Sequence, residues 1–160
     1  MAVFGAIAPH GWLAIPELGT PADRELGSAT QRGMLELGRR FEAAAPDTTV
    51  LFTPHNVHVE GSLAVLVPAR LEGSLESEDP EQEPIALTAQ VDRELALAVR
   101  DGLRAAGLPV AGVSWGGNDP HDAVMPMDWA TLIPLWYLGG RREPAPPVVG
   151  NRFVPETTGL

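Results

Sequence analysis

Apolar positions along the chain fall into short blocks, separated by polar turns rich in proline and glycine. "AVFGAIA" (Ala2–Ala8) is apolar throughout and stops at Pro-His-Gly, which predicts a buried strand. A Pro/Gly-rich loop is expected from Pro16 to Gly27. Met34, Leu35, Leu37 and Phe41 then line one side of a predicted helix. Ser28 or Thr30 caps it, and it runs to about Ala45, where Pro46-Asp47 breaks it. "TTVLFT" (Thr48–Thr53) is rich in β-branched residues and predicts a second strand, again ended by Pro-His. "SLAVLVP" (Ser62–Pro68) predicts a third, paired with the second in a hairpin through the turn near Glu60-Gly61.

The segment from Leu71 to Pro84 contains "ESEDPEQE" and is expected to be a solvated acidic surface loop. Val91, Leu95, Val99 and Leu103 recur at four-residue spacing and predict a helix from about Thr88 to Ala106, ended by Gly107 and Pro109. "PVAGVSW" predicts a fourth strand, "WATLIPLWYL" a largely buried helix or extended run, and "PPVVG" a fifth strand. Strands alternating with helices predict an α/β fold. Its central sheet is expected to be mostly parallel or mixed and flanked by helices, in a single domain over residues 1–160. In open sheets of this kind, ligands bind beyond the carboxyl ends of strands. His10 and His55 follow two such ends.

Composition removes whole classes of chemistry. There is no cysteine, so no disulfide, thiolate zinc site, iron–sulfur cluster or cysteine nucleophile. All eleven basic residues are arginine, which also removes Schiff-base and P-loop lysine chemistry. The net charge of −10 disfavours nucleic acid and anionic membranes as partners. No apolar run approaches the roughly 18 residues of a membrane span. The first charged residue is Glu17, without the basic flank of a signal peptide, so a cytoplasmic location is expected.

The reactive groups that remain centre on four histidines. Two of them follow proline at the end of an apolar run, in "GAIAPHGW" and "VLFTPHNV". Proline sets φ, removes a backbone donor and ends the strand, so the next side chain leaves the sheet at a defined angle. Two neutral imidazoles held that way can converge on a divalent metal, to which a carboxylate adds the third ligand. A hydrogen-bonded structural or surface role is the alternative for each. His58 lies beside the metal or facing substrate, or is simply exposed. His121, in "GGNDPHDAVMPMD", belongs to a loop after the fourth strand, where such folds often carry catalytic groups. Trp12, Trp115 and Trp129 either line a pocket for a planar ring or pack the core. Gly116-Gly117 has no phosphate-binding spacing and is expected to form a turn.

"APHGW", "TPHNVHVEG" and "MPMDWATLIPLWYLGG", in that order, resemble the class III extradiol ring-cleavage dioxygenases related to protocatechuate 4,5-dioxygenase beta subunits. The resemblance implies an α/β fold with a central mixed sheet and makes His10 and His55 ligands of Fe(II). It further implies a small aromatic diol and dioxygen as substrates. A histidine near the metal would then take and return a proton, with His121 the first candidate and His58 the second. Two features depart from the family pattern. Many members carry Asp-His-Gly where this chain has Asp128-Trp129-Ala130. The family's third ligand is a glutamate farther downstream than Leu160, so the resemblance covers the N-terminal part of the family domain. Glu60, Asp119, Asp122 and Glu156 match no family motif. A non-catalytic binding member of the superfamily, like the Memo-like proteins, and a zinc-dependent variant are the alternatives. Five strands with about three helices also leave part of a sheet open, so a homo-oligomer or partner subunit is expected to cover it around "PPVVG".

Overall fold

The computed structural model describes residues 4–117, 119–140 and 148–152. The chain begins with an extended stretch that leads into a 3-10 turn at Trp12–Ala14 and a second at Pro16–Leu18. Helix α1 (Pro21–Leu26) starts on a reciprocal cap. The Asp23 carboxylate accepts the Thr20 N–H at 3.0 Å, and the Thr20 hydroxyl oxygen accepts the Asp23 N–H at 3.4 Å. The segment expected to be a loop is therefore largely ordered into turns and a short helix. Helix α2 (Ser28–Ala44) follows directly from Gly27, and neither Ser28 nor Thr30 caps it. A Cβ at Gly27 would lie 2.3 Å from the Leu13 carbonyl oxygen, so the junction of the two helices is pressed onto the first turn and needs glycine.

Among the described residues seven strands follow in chain order: β1 (Thr49–Thr53), β2 (Leu63–Leu66), β3 (Arg70–Leu75), β4 (Ile85–Gln90), β5 (Val110–Val113), β6 (Val124–Pro126) and β7 (Val148–Arg152). Helix α3 (Arg93–Ala105) lies between β4 and β5, and α4 (Trp129–Leu135) lies between β6 and β7. The α/β class holds, but the strands divide into two sheets rather than one. The first has order β1-β7-β2-β5, with β1 parallel to β7, β7 antiparallel to β2, and β2 parallel to β5. The second has order β4-β3-β6, with β3 antiparallel to β4 and parallel to β6.

One apolar core joins the two sheets, with Val65 and Leu66 from the first and Leu71, Leu87 and Met125 from the second. Helix α4 contacts β1 of one sheet and β3 of the other, and Ala130 through Leu135 are all buried. That burial on every side explains why its sequence shows no polar face. Asp128 caps it by accepting the Thr131 N–H at 2.8 Å. Beyond Pro134 the helix widens through Trp136–Gly140, and Gly139 turns it with φ 89°.

Several expectations are corrected by this arrangement. Phe4–Ala8 form no strand, while Ala2 and Val3 lie outside the described residues. Glycine and alanine, three of those five residues, have poor strand propensity, so an apolar run alone does not make them pair. The β1–β2 hairpin does not exist, because β7 inserts between the two strands. Leu71–Leu75 belong to β3, with Leu71 fully buried, and the acidic loop is shorter, running over 76–84. That loop is tied down: Ser77 donates to the Glu17 carbonyl at 3.0 Å and Arg24 pairs with Asp79 at 3.1 Å. Thr88–Gln90 are strand, and the helix begins at Arg93 on its Asp92 cap. Of the fifth predicted strand, Val148–Gly150 fall within β7, and Pro146 and Pro147 lie outside the described residues. Since β7 is paired on both sides, the outer strands of that sheet are β1 and β5, not the segment around "PPVVG".

Candidate functional site

Pro54 ends β1, and the bend after it is held locally. The buried Thr53 hydroxyl accepts the His55 N–H at 3.2 Å. Asn56 takes the left-handed conformation, φ 73°, and its side-chain amide donates to the Pro126 carbonyl at 3.1 Å. His55 is thus fastened to both the end of β1 and the end of β6. His10 is held from the other direction. It precedes the Trp12–Ala14 turn, where Gln31 donates to the Leu13 carbonyl at 2.9 Å and the buried Tyr137 hydroxyl donates to the Ala14 carbonyl at 2.6 Å.

These two frames bring the Pro-His histidines together. The His10 and His55 rings lie edge to face, with centroids 5.2 Å apart and planes at 71°. Trp129, half-exposed at the start of α4, covers His55 with centroids 4.6 Å apart at 43°. With a metal–nitrogen bond of about 2.1 Å and about 1.2 Å from nitrogen to ring centre, two imidazoles on one ion at ~90–110° have centroids about 4.7–5.4 Å apart. The observed separation lies within that span, and equally within that of an ordinary edge-to-face contact between rings. No group of three or more His, Cys, Asp or Glu stands ready for a metal among the described residues. Asp128, next to Trp129, has one oxygen engaged in the α4 cap and the other buried with no hydrogen-bond partner among the described residues.

The other two histidines sit differently. His58 is exposed on the same loop as His55, three residues farther on. His121 is exposed at the opposite edge of the first sheet, as the strand directions require. β7 is parallel to β1 and antiparallel to β2, so β1 and β2 run oppositely and the carboxyl end of β1 lies beside the start of β2. Arg93, which reaches His121 Nδ1 at 3.4 Å, donates to the Val67 carbonyl at 2.9 Å, just past the carboxyl end of β2. An all-parallel sheet would have put every such loop on one edge; the reversal separates His121 from the pair. Of the tryptophans, Trp115 is 69 % exposed and fills no core. Glu60, Asp119 and Asp122 are exposed, and Glu156 lies outside the described residues.

A cleft of about 580 Å³ opens beside His10. Its walls are the extended segment Phe4–Ala8 on one side and Thr48–Phe52 of the β1 region on the other, floored by Phe41, Pro134 and Leu138. Sequence reasoning missed this cleft because it assumed that the N-terminal run pairs in the sheet. Thr53 and Asn56 were missed too, although "TPHN" carries a signal for both. A threonine two residues before the histidine can receive its N–H, and asparagine tolerates positive φ. Neither a family model nor a curated protein sequence matches this chain. No helix among the described residues is long and apolar enough to cross a membrane.

Proposed function

We propose that the chain is a non-haem Fe(II)-dependent extradiol dioxygenase, opening a catechol-type ring with dioxygen in the cytoplasm. The observation that carries this is the His10–His55 pair, two imidazoles from distant parts of the chain at a separation that suits one divalent ion. His10 and His55 would hold the metal. When bound, Fe(II) supplies chelation of the two diol oxygens and activation of dioxygen, and both oxygen atoms enter the product without an external reductant. Trp129 packs against the His55 ring, and the apolar cleft lies beside His10. His58, on the loop that carries His55, is better placed than His121 to take and return the diol proton. Cell fractionation that finds the protein outside the cytoplasm would contradict the last part of the assignment.

A second reading is a non-catalytic binding member of the same superfamily. It is favoured by the missing third ligand among the described residues. A zinc-dependent variant is separated from both by the metal itself. The test is metal analysis of protein purified anaerobically, beside a His10→Ala/His55→Ala double variant. The iron reading expects close to one Fe(II) per chain in the wild type and at least a tenfold loss in the variant, given what first ligands contribute. Zinc in place of iron supports the variant chemistry. Equal and negligible metal in both proteins leaves the binding member standing.

A further inference from the structure

The described lining of the cleft beside His10 is mostly apolar. Among its described lining residues there is no aspartate, glutamate or arginine, and the polar side chains are Thr48, Thr49 and His10. The Thr48 hydroxyl is already engaged, donating to Asp92 at 3.0 Å. Phe52, 70 % exposed, and Val50, 45 % exposed, line it from β1, across from the Phe4–Ala8 segment. Exposed apolar side chains gathered on one concavity mark a binding surface rather than ordinary surface scatter. A volume of about 580 Å³ suits a single small molecule and is too small for a protein segment with its side chains.

We infer that this cleft binds the apolar substituent of an uncharged ligand. On the reading of the previous section, on which the diol part of this inference rests, the substrate class is then an alkyl- or aryl-substituted aromatic diol rather than a ring bearing a carboxylate. A carboxylate placed here would lose its hydration with no guanidinium among the described lining residues to replace it. The chain's net charge of −10 opposes its approach as well. An apolar group instead covers Val50 and Phe52 and removes their surface from water.

The test compares 4-tert-butylcatechol with 3,4-dihydroxybenzoate, which differ in the substituent para to one hydroxyl. Binding to the 160-residue chain is measured by calorimetry, once in EDTA and once with added Fe(II) under nitrogen. The EDTA arm reads the cleft without the metal. There the wild type is expected to bind the tert-butyl compound at least about tenfold more tightly, the cost of an unpaired carboxylate. Phe52→Arg, at an exposed position that tolerates charge, is expected to shrink that ratio at least about fivefold, and Val50→Arg to act in the same direction. Equal or tighter binding of the carboxylate by the wild type overturns the inference. So does failure of both compounds to bind, and so does a dimer in solution scattering that Phe52→Arg converts to monomer, since the cleft is then covered by a second copy. The two arms keep the claims apart. A preference in EDTA with no Fe(II) uptake retains the cleft and removes the metal centre; Fe(II) uptake without a preference does the reverse.

Discussion

Glu36 accepts hydrogen bonds from two guanidiniums on the exposed face of α2. Arg39 donates through Nε to Oε2 and through Nη2 to Oε1, both at 2.7 Å, and Arg40 donates through Nε to Oε1 at 2.7 Å. These bonds, Arg39's first and Arg40's second, hold the Glu36 carboxyl down at about 2, against an ordinary 4.5. The folded-state value is depressed, so the stabilisation is present above the unfolded value near 4.5 and is lost as pH falls toward 2. The group is open to solvent, so the effect on stability is small and salt weakens it. A carboxyl-detected NMR titration is expected to place Glu36 well below the ordinary glutamate value, and Arg39→Gln/Arg40→Gln is expected to return it toward 4.5. A midpoint that does not move in the double variant would show the pairing absent in solution. At the same scale, the site depends on small local choices. Thr53 and Asn56 aim His55, and a single aromatic, Trp129, covers it.

Two glycines of α2 show how the surroundings of an element reverse the effect of one substitution. Gly33 faces open space, with nothing within 4 Å of an added Cβ, whereas a Cβ at Gly38 would come 2.7 Å from the Tyr137 carbonyl oxygen. Gly33→Ala is therefore expected to stabilise the protein by about 0.5–1 kcal/mol, since alanine restricts the unfolded chain and favours helix. Gly38→Ala is expected to destabilise it by about 1–3 kcal/mol, because backbone must shift to admit the methyl group. Urea denaturation of the two variants checks both signs, and a shared sign would contradict the close approach of α2 to Trp136–Gly140. Strand β4 makes a related point. Ile85, Leu87 and Ala89 alternate inward along it, a period of two present in the letters themselves. Its alanine, leucine and glutamine favour helix on propensity, and the ladder with β3 overrides that preference.

A hydrogen bond between distant segments ties the first turn to the stretch that follows α4. Tyr137, 7 % exposed and far along the chain, donates to the Ala14 carbonyl four residues after His10. Tyr137→Phe leaves that buried carbonyl without its partner and is expected to cost about 1–3 kcal/mol. A lowered denaturation midpoint with an unchanged slope would register this as loss of stability with the fold retained. A change of less than about 0.5 kcal/mol would mean that the bond does not tie the N-terminal turn to the core.

Much of the fold was legible in the letters. The α/β class, helix α2, strands β1, β2 and β5, and the end of α3 at Gly107 follow from periodicity, β-branched runs and stop signals, which are local properties. The two Pro-His motifs were legible for the same reason, since proline acts on its neighbours alone. Which strand lies beside which is not a local property. The insertion of β7 between β1 and β2, the reversed direction of β1, and the split into two sheets around α4 depend on how distant segments jointly bury their apolar faces. Those non-local pairings decided that His10 and His55 meet while His121 stands at the opposite edge. They also left the Phe4–Ala8 segment unpaired, so that a cleft with no aspartate, glutamate or arginine among its described lining residues opens beside His10. The sequence alone determined which side chains are capable of the chemistry; packing between remote parts of the chain decided which of them stand within reach of one another.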